Sequence, residues 1–301
     1  MNQKTKGILA FLLMAFALAW IPWEIVIRAG ISVHSPMFQF AALPSAFAPA
    51  FAAFVVRKWI THEGFADAGF RLHLSKWRYY LVGWLLPLVV VGFIVLVAPL
   101  LGIGTADFSL ARGVKALLPP GVTPRHALNV WVLFLTLPIA SIFVAPFSFG
   151  EEFGWRSYLQ LRLFPTQPVL SAVVTGLIWA AWHLPVLVRG YAFPANPYSG
   201  VPVFAVSCVL LSIIFGWLRL MTGSIWSTSL AHAATNAVAG QMTFLLFSGG
   251  ASMLLVSNLG MLGWIPLGAV SAWIVFTGQL KPAVIPEQSN LAHASLTKAG
   301  L

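Results

Sequence analysis

The run Gly150-Glu151-Glu152-Phe153-Gly154-Trp155-Arg156 sets two adjacent carboxylates and a guanidinium between long apolar stretches. The chain holds only seven Asp and Glu among 301 residues, so a neighbouring pair calls for a physical reason. On insertion scales each ionised side chain at a bilayer centre costs roughly 2.5–3.5 kcal/mol, which disfavours a lipid-facing position for all three. Charges placed in this way face a protein interior or a water-filled cavity, and they are candidate functional groups.

Composition sets the frame for that reading. Hydrophobic residues make up 59% of the chain and charged residues 8%, with a mean hydropathy of +0.88. These values exclude an ordinary soluble domain and predict an all-α polytopic membrane protein. The formal net charge of +10 would suggest nucleic acid in a soluble protein. Here it reads as the Lys and Arg excess that orients a membrane chain, with acidic lipid headgroups as partner and no nucleic acid. Cys208 is the single cysteine, so no intramolecular disulfide forms.

Eight spans are expected, at about 7–28, 37–56, 79–102, 129–150 and beyond, 168–188, 201–218, 223–247 and 253–277. Each approaches the ~20 apolar residues that a tilted crossing needs. The first has the Ala17-Leu18-Ala19 pattern of a cleavable signal, but its apolar run continues through Ile27 and reads as a signal anchor. With the N-terminus inside, the inner segments hold twelve Lys and Arg: Lys4, Lys6, Arg57, Lys58, Arg71, Lys76, Arg78, Arg156, Arg162, Arg219, Lys281 and Lys298. The outer segments hold five: Arg28, Arg112, Lys115, Arg125 and Arg189. This bias predicts two cytoplasmic termini. The reading is one transmembrane domain over 1–280, with its motif core at about 148–240, and a polar, disordered tail over 281–301. No internal repeat supports a transporter built from inverted halves.

If the fourth span continues to about Leu163, Glu151 lies ~18 Å from its inner end at 1.5 Å per residue. His183 lies ~22 Å and His232 ~14 Å from the same face. Three helices thus bring ionisable groups to similar depths in a core ~30 Å thick. Glu152 and Arg156 are four apart and can pair, while Glu151 points ~100° away and stays free. Trp179 and His183 share one helix face, and His232 and Asn236 share another. Taken singly, each polar residue also has a packing role open to it, as an interhelical hydrogen bond or a structural ion pair. Glu24 and His34 are expected to be structural.

A carboxylate beside an imidazole in a dry pocket can activate water as a general base. A second imidazole with an amide donor suits the oxyanion formed when water attacks a peptide carbonyl. The set therefore supports a hydrolase with no Ser or Cys nucleophile. The same residue types also allow a zinc or di-iron ligand set of Glu151, Glu152, His183 and His232, although the spacing H-E-x-x-H is absent.

The three motifs Glu151-Glu152-x-x-x-Arg156, Trp179-x-x-x-His183 and His232-x-x-x-Asn236 resemble the signature of the CPBP family. That family comprises the type II CAAX prenyl endopeptidases and the bacterial bacteriocin-processing or immunity (Abi) proteins. The flanks Trp182-His183-Leu184-Pro185 and Thr222-Gly223-Ser224-Ile225-Trp226 are similar too, and the resemblance covers about 148–240. It implies an eight-helix intramembrane endopeptidase whose site opens to the cytosolic side, in a bacterial inner membrane. In that reading Glu151 activates water with His183, His232 and Asn236 form the oxyanion site, and Glu152 and Arg156 support them. It favours metal-free hydrolysis of a peptide or protein substrate, which in the eukaryotic members is a prenylated C-terminal Cys motif. Trp179 departs from the Phe common in the family. The alternative is a non-catalytic immunity or scaffold protein on the same fold.

Overall fold

The computed structural model describes residues 2–118 and 129–281. The predicted disordered tail, apart from Lys281, lies outside them. The described residues are helical throughout their regular structure and contain no strand. We number the eight bundle passes α1 (Gln3–Arg28), α2 (Pro36–Ile60), α3 (Leu74–Leu100), α4 (Val130–Leu163), α5 (Pro168–Trp182), α6 (Gly200–Thr222), α7 (225–247) and α8 (Trp264–Phe276). Five of them, α1 to α4 and α6, are long and apolar enough to cross a membrane. The shorter α5 and α8 and the more polar α7 depart from the expectation that each span holds near the ~20 apolar residues of a tilted crossing.

Each departure has a local cause. The span expected over 168–188 stops at Trp182, because Pro185 lacks an N–H and sits in the first turn of a separate short helix, Leu184–Leu187. Trp20 Nε1 donates to the freed Trp182 carbonyl at 2.8 Å, which ties the break to α1. The span expected from 253 forms only a short helix, Met253–Val256, and then folds back through Gly260. A Cβ at Gly260 would lie 2.6 Å from the Leu254 carbonyl oxygen, so the turn requires glycine. By contrast, α4 does run on to Leu163 through a π-helical turn over Trp155–Leu159, and Pro138 and Pro146 are carried inside it.

Small residues set the approach of α4 to α2. A Cβ at Gly154 would lie 2.7 Å from the Pro49 carbonyl carbon, and one at Gly150 would lie 2.6 Å from the Ala46 carbonyl oxygen. This spacing of two glycines four residues apart lets the backbones touch, as in other membrane helix pairs. The sequence between them is the acidic run, so the closest contact and the carboxylates occupy the same turn.

Below that turn, the loop over 61–73 is pinned by a buried ion network. Arg57, fully buried, donates to Asp67 Oδ1 at 2.7 Å and to the Ser157 carbonyl at 2.6 Å. Arg162 donates to Asp67 Oδ2 at 2.9 Å, and Arg219 donates to Ser157 Oγ at 3.1 Å. Burial pushes the Asp67 carboxyl up, but the Arg57 hydrogen bond and the Arg162 charge outweigh it and hold the group below the usual carboxylate range. Its stabilisation is complete above the unfolded value of about 3.9 and is lost as pH falls through the depressed folded value. Asp67→Ala leaves Arg57 buried without its carboxylate, and about 3 kcal/mol of destabilisation is expected. Thermal unfolding in detergent should show that loss at neutral pH, with the gap to the wild type narrowing under strong acid.

Candidate active site

The acidic pair divides at once. Glu152 is fully buried, whereas Glu151 is half-buried and faces a cavity. Glu152 Oε1 accepts from Arg156 Nη1 at 2.8 Å, the i,i+4 pair anticipated from spacing. The same oxygen contacts His232 Nδ1 at 2.9 Å, joining α4 to α7. Because a carboxylate accepts, His232 Nδ1 carries the proton of this bond and Nε2 is left for the cavity. The Arg156 guanidinium lies over the Trp179 ring at 4.3 Å and the Phe215 ring at 5.1 Å. These faces partly compensate a buried cation whose Nε and Nη2 have no hydrogen-bond partner among the described residues.

His183 caps the C-terminus of α5 at the Pro185 break, rather than lying within a continuous helix. Its Nδ1 donates to the Trp179 carbonyl at 2.9 Å, which fixes the ring and leaves Nε2 as acceptor. Asn236 is exposed and lies in a π-helical turn, Thr235–Gly240, that follows the His232 turn in α7. Such π turns recur at functional sites because they re-aim a side chain within a helix. Glu151, His183, His232 and Asn236 all line one cavity of about 680 Å³. A second cavity of about 140 Å³ shares Glu151, His183, Gln39 and Tyr191 with it.

Trp179 is the residue that sequence reasoning undervalued. Its Nε1 donates to Glu151 Oε2 at 2.6 Å, and its ring centroid lies 5.2 Å from that of His232 and 6.0 Å from that of His183. The signal was present in the sequence, since Trp brings an indole N–H that the Phe common in the family lacks. Cys208, Gln39 and Tyr191 also line the large cavity, and no motif pointed to them. Glu24 pairs with Arg189 at 2.9 Å, the structural role expected of it.

Glu152 Oε1 is committed to Arg156 and His232, and the Trp179 ring packs against both imidazoles. Among the described residues no three His, Cys, Asp or Glu side chains converge in a geometry that could hold a metal ion.

Residues 127–238 match the family model described as Type II CAAX prenyl endopeptidase Rce1-like. This segment is Rce1-like. The match runs from the start of α4 into the π turn of α7 and so contains Glu151, Glu152, Arg156, Trp179, His183, His232 and Asn236, though not Gln39, in agreement with the resemblance carried by the three motifs. The likeness is to a family of CAAX-protease-like intramembrane endopeptidases, and it covers this segment of the chain. Together with the apolar helices it makes this chain an integral membrane protein. A search of curated proteins finds no match.

The two glutamates should separate by stability. Glu152→Ala strands a buried guanidinium and should cost about 3–5 kcal/mol. Glu151→Gln keeps the shape and an acceptor for Trp179, so its melting temperature should stay close to the wild type. Melting curves of both purified variants check this.

Proposed function

We propose that the protein is an active intramembrane endopeptidase in which Glu151 activates water for attack on a peptide carbonyl. The observation that carries the reading is the single cavity lined by one half-buried carboxylate, two imidazoles with inward Nε2 atoms, and a free amide. Glu151 takes a proton from water while His183 Nε2 accepts a hydrogen bond from the other water proton. The new C–O bond places negative charge on the former carbonyl oxygen. His232 Nε2–H and the Asn236 amide donate to that oxygen, with Glu152 at Nδ1 providing the counter-charge for a doubly protonated imidazole. Glu151 then passes its proton to the amide nitrogen as the C–N bond breaks, so the base of the first step is the acid of the second.

Trp179 fits the same scheme as a positioning residue. Its indole holds one Glu151 oxygen and leaves the other to meet water. The Glu152–Arg156 pair supports His232 from beneath and touches no reacting atom.

Glu151→Gln and His183→Ala should each lower peptide cleavage by at least ~10²-fold in the purified protein, the usual scale of general-base loss. Asn236→Ala should cost ~10²–10³ in kcat, as for loss of one oxyanion donor. Cleavage retained by the folded double variant Glu151→Gln/His183→Ala would contradict the mechanism, whereas protection or partner binding that survives Glu151→Gln, with no cleavage by the wild type, would favour a non-catalytic immunity or scaffold role.

A further inference from the structure

Four residues line both the cavity of about 680 Å³ and the smaller one of about 140 Å³: Gln39, Glu151, His183 and Tyr191. They mark the neck where the two spaces meet, and all four are polar. The rest of the smaller wall is aliphatic or aromatic, with residues such as Phe38, Leu43 and Val186. That space holds several waters by volume, and a water settles where it finds about two to four polar partners. The neck supplies them. Glu151 and His183 have their place in the hydrolysis above, and Gln39 and Tyr191 have none.

The fold builds this neck from two connections that touch. In the first, the Ser35 hydroxyl accepts from Phe38 N at 3.1 Å and caps α2, so Gln39 falls in its first turns. Gln39 Nε2 donates to the Val33 carbonyl at 3.3 Å, which orients the amide and leaves its oxygen and second N–H for the neck. In the second, the chain leaves the short helix Leu184–Leu187 through Gly190, whose φ of +86° favours glycine. Tyr191 N then donates to the Val186 carbonyl at 3.1 Å. A Cβ at Gly190 would lie 3.5 Å from His34 Nε2, which shows how closely the two connections approach. The Glu24–Arg189 pair, at 2.9 Å, ties the Tyr191 side to α1.

We propose that Gln39 and Tyr191 are positioning residues that hold the reacting water at this neck. Its reaction rests on the protease reading above; its being held there does not. Water has two protons and two lone pairs. In the hydrolysis its protons face Glu151 and His183 Nε2, and one lone pair forms the new C–O bond. The second lone pair needs a donor, which an ionised carboxylate and an acceptor nitrogen cannot be. The Tyr191 hydroxyl and the Gln39 N–H are the donors that the two connections bring to the neck. Holding a reactant in place lowers a barrier without a new contact to the substrate, so these side chains act on kcat rather than on KM.

Hydroxyl-radical footprinting of the purified wild type tests the held water without a substrate, because radicals formed from a bound water oxidise the side chains beside it. Phe38, 2% exposed, lines the smaller cavity, whereas Phe11, 0% exposed, is packed against Trp155 and Tyr158. Phe38 should be oxidised several-fold faster than Phe11, and equal rates overturn the proposal. In Gln39→Leu/Tyr191→Phe the Phe38 rate should fall towards that of Phe11, and an unchanged rate overturns the part given to these two side chains. The same variant should lower kcat about tenfold, with KM unchanged within about twofold and the melting temperature kept. An unchanged kcat, or a loss in KM alone, overturns the positioning role. Tyr191→Phe, which removes one oxygen, gives the same readings should the double variant fail to fold. A wild type that cleaves no peptide while Phe38 is still oxidised fast sinks the protease reading and leaves the held water standing.

Discussion

One carboxylate oxygen, Glu152 Oε1, carries the architecture of the site. It accepts from Arg156 within α4 and from His232 across α7, and no water is needed to complete either bond. In a low-dielectric interior such a bond is strong when made and costly when broken, so both helices are held in one register. That register turns Glu151, one residue earlier and ~100° around the helix, towards the cavity. The proposed catalytic geometry is thus a consequence of the structural pair.

The same helix divides into two regimes. Beyond Glu151 it is buried through Arg162, with the Gly154 contact to α2, the π turn and the arginine network packed around it. Before Glu151 it is largely exposed, with Phe143 at 75% and Leu135 at 70%, as suits a lipid-facing surface. The proposed hydrolysis requires a fold that admits water and peptide while keeping its structural charges dry. This fold separates those needs along the length of α4.

Much of this was legible from residue spacing. The Glu152–Arg156 pair and the continuation of α4 to Leu163 follow from helical periodicity and hydropathy. The break at His183 had a signal in Pro185, which a hydropathy span passes over because proline does not lower it sharply. The Glu152–His232 bond joins residues 80 apart, and the Trp179–Glu151 bond joins residues 28 apart. Contacts of that kind depend on how helices turn against one another, which one helix's pattern does not contain.

The most direct test of Glu151 as the centre of the chemistry is a comparison of peptide termini in membranes of cells carrying the wild-type chain or Glu151→Ala. The account predicts a set of termini present with the wild type and missing with the variant, at equal levels of inserted protein. Identical termini in the two membranes would contradict it.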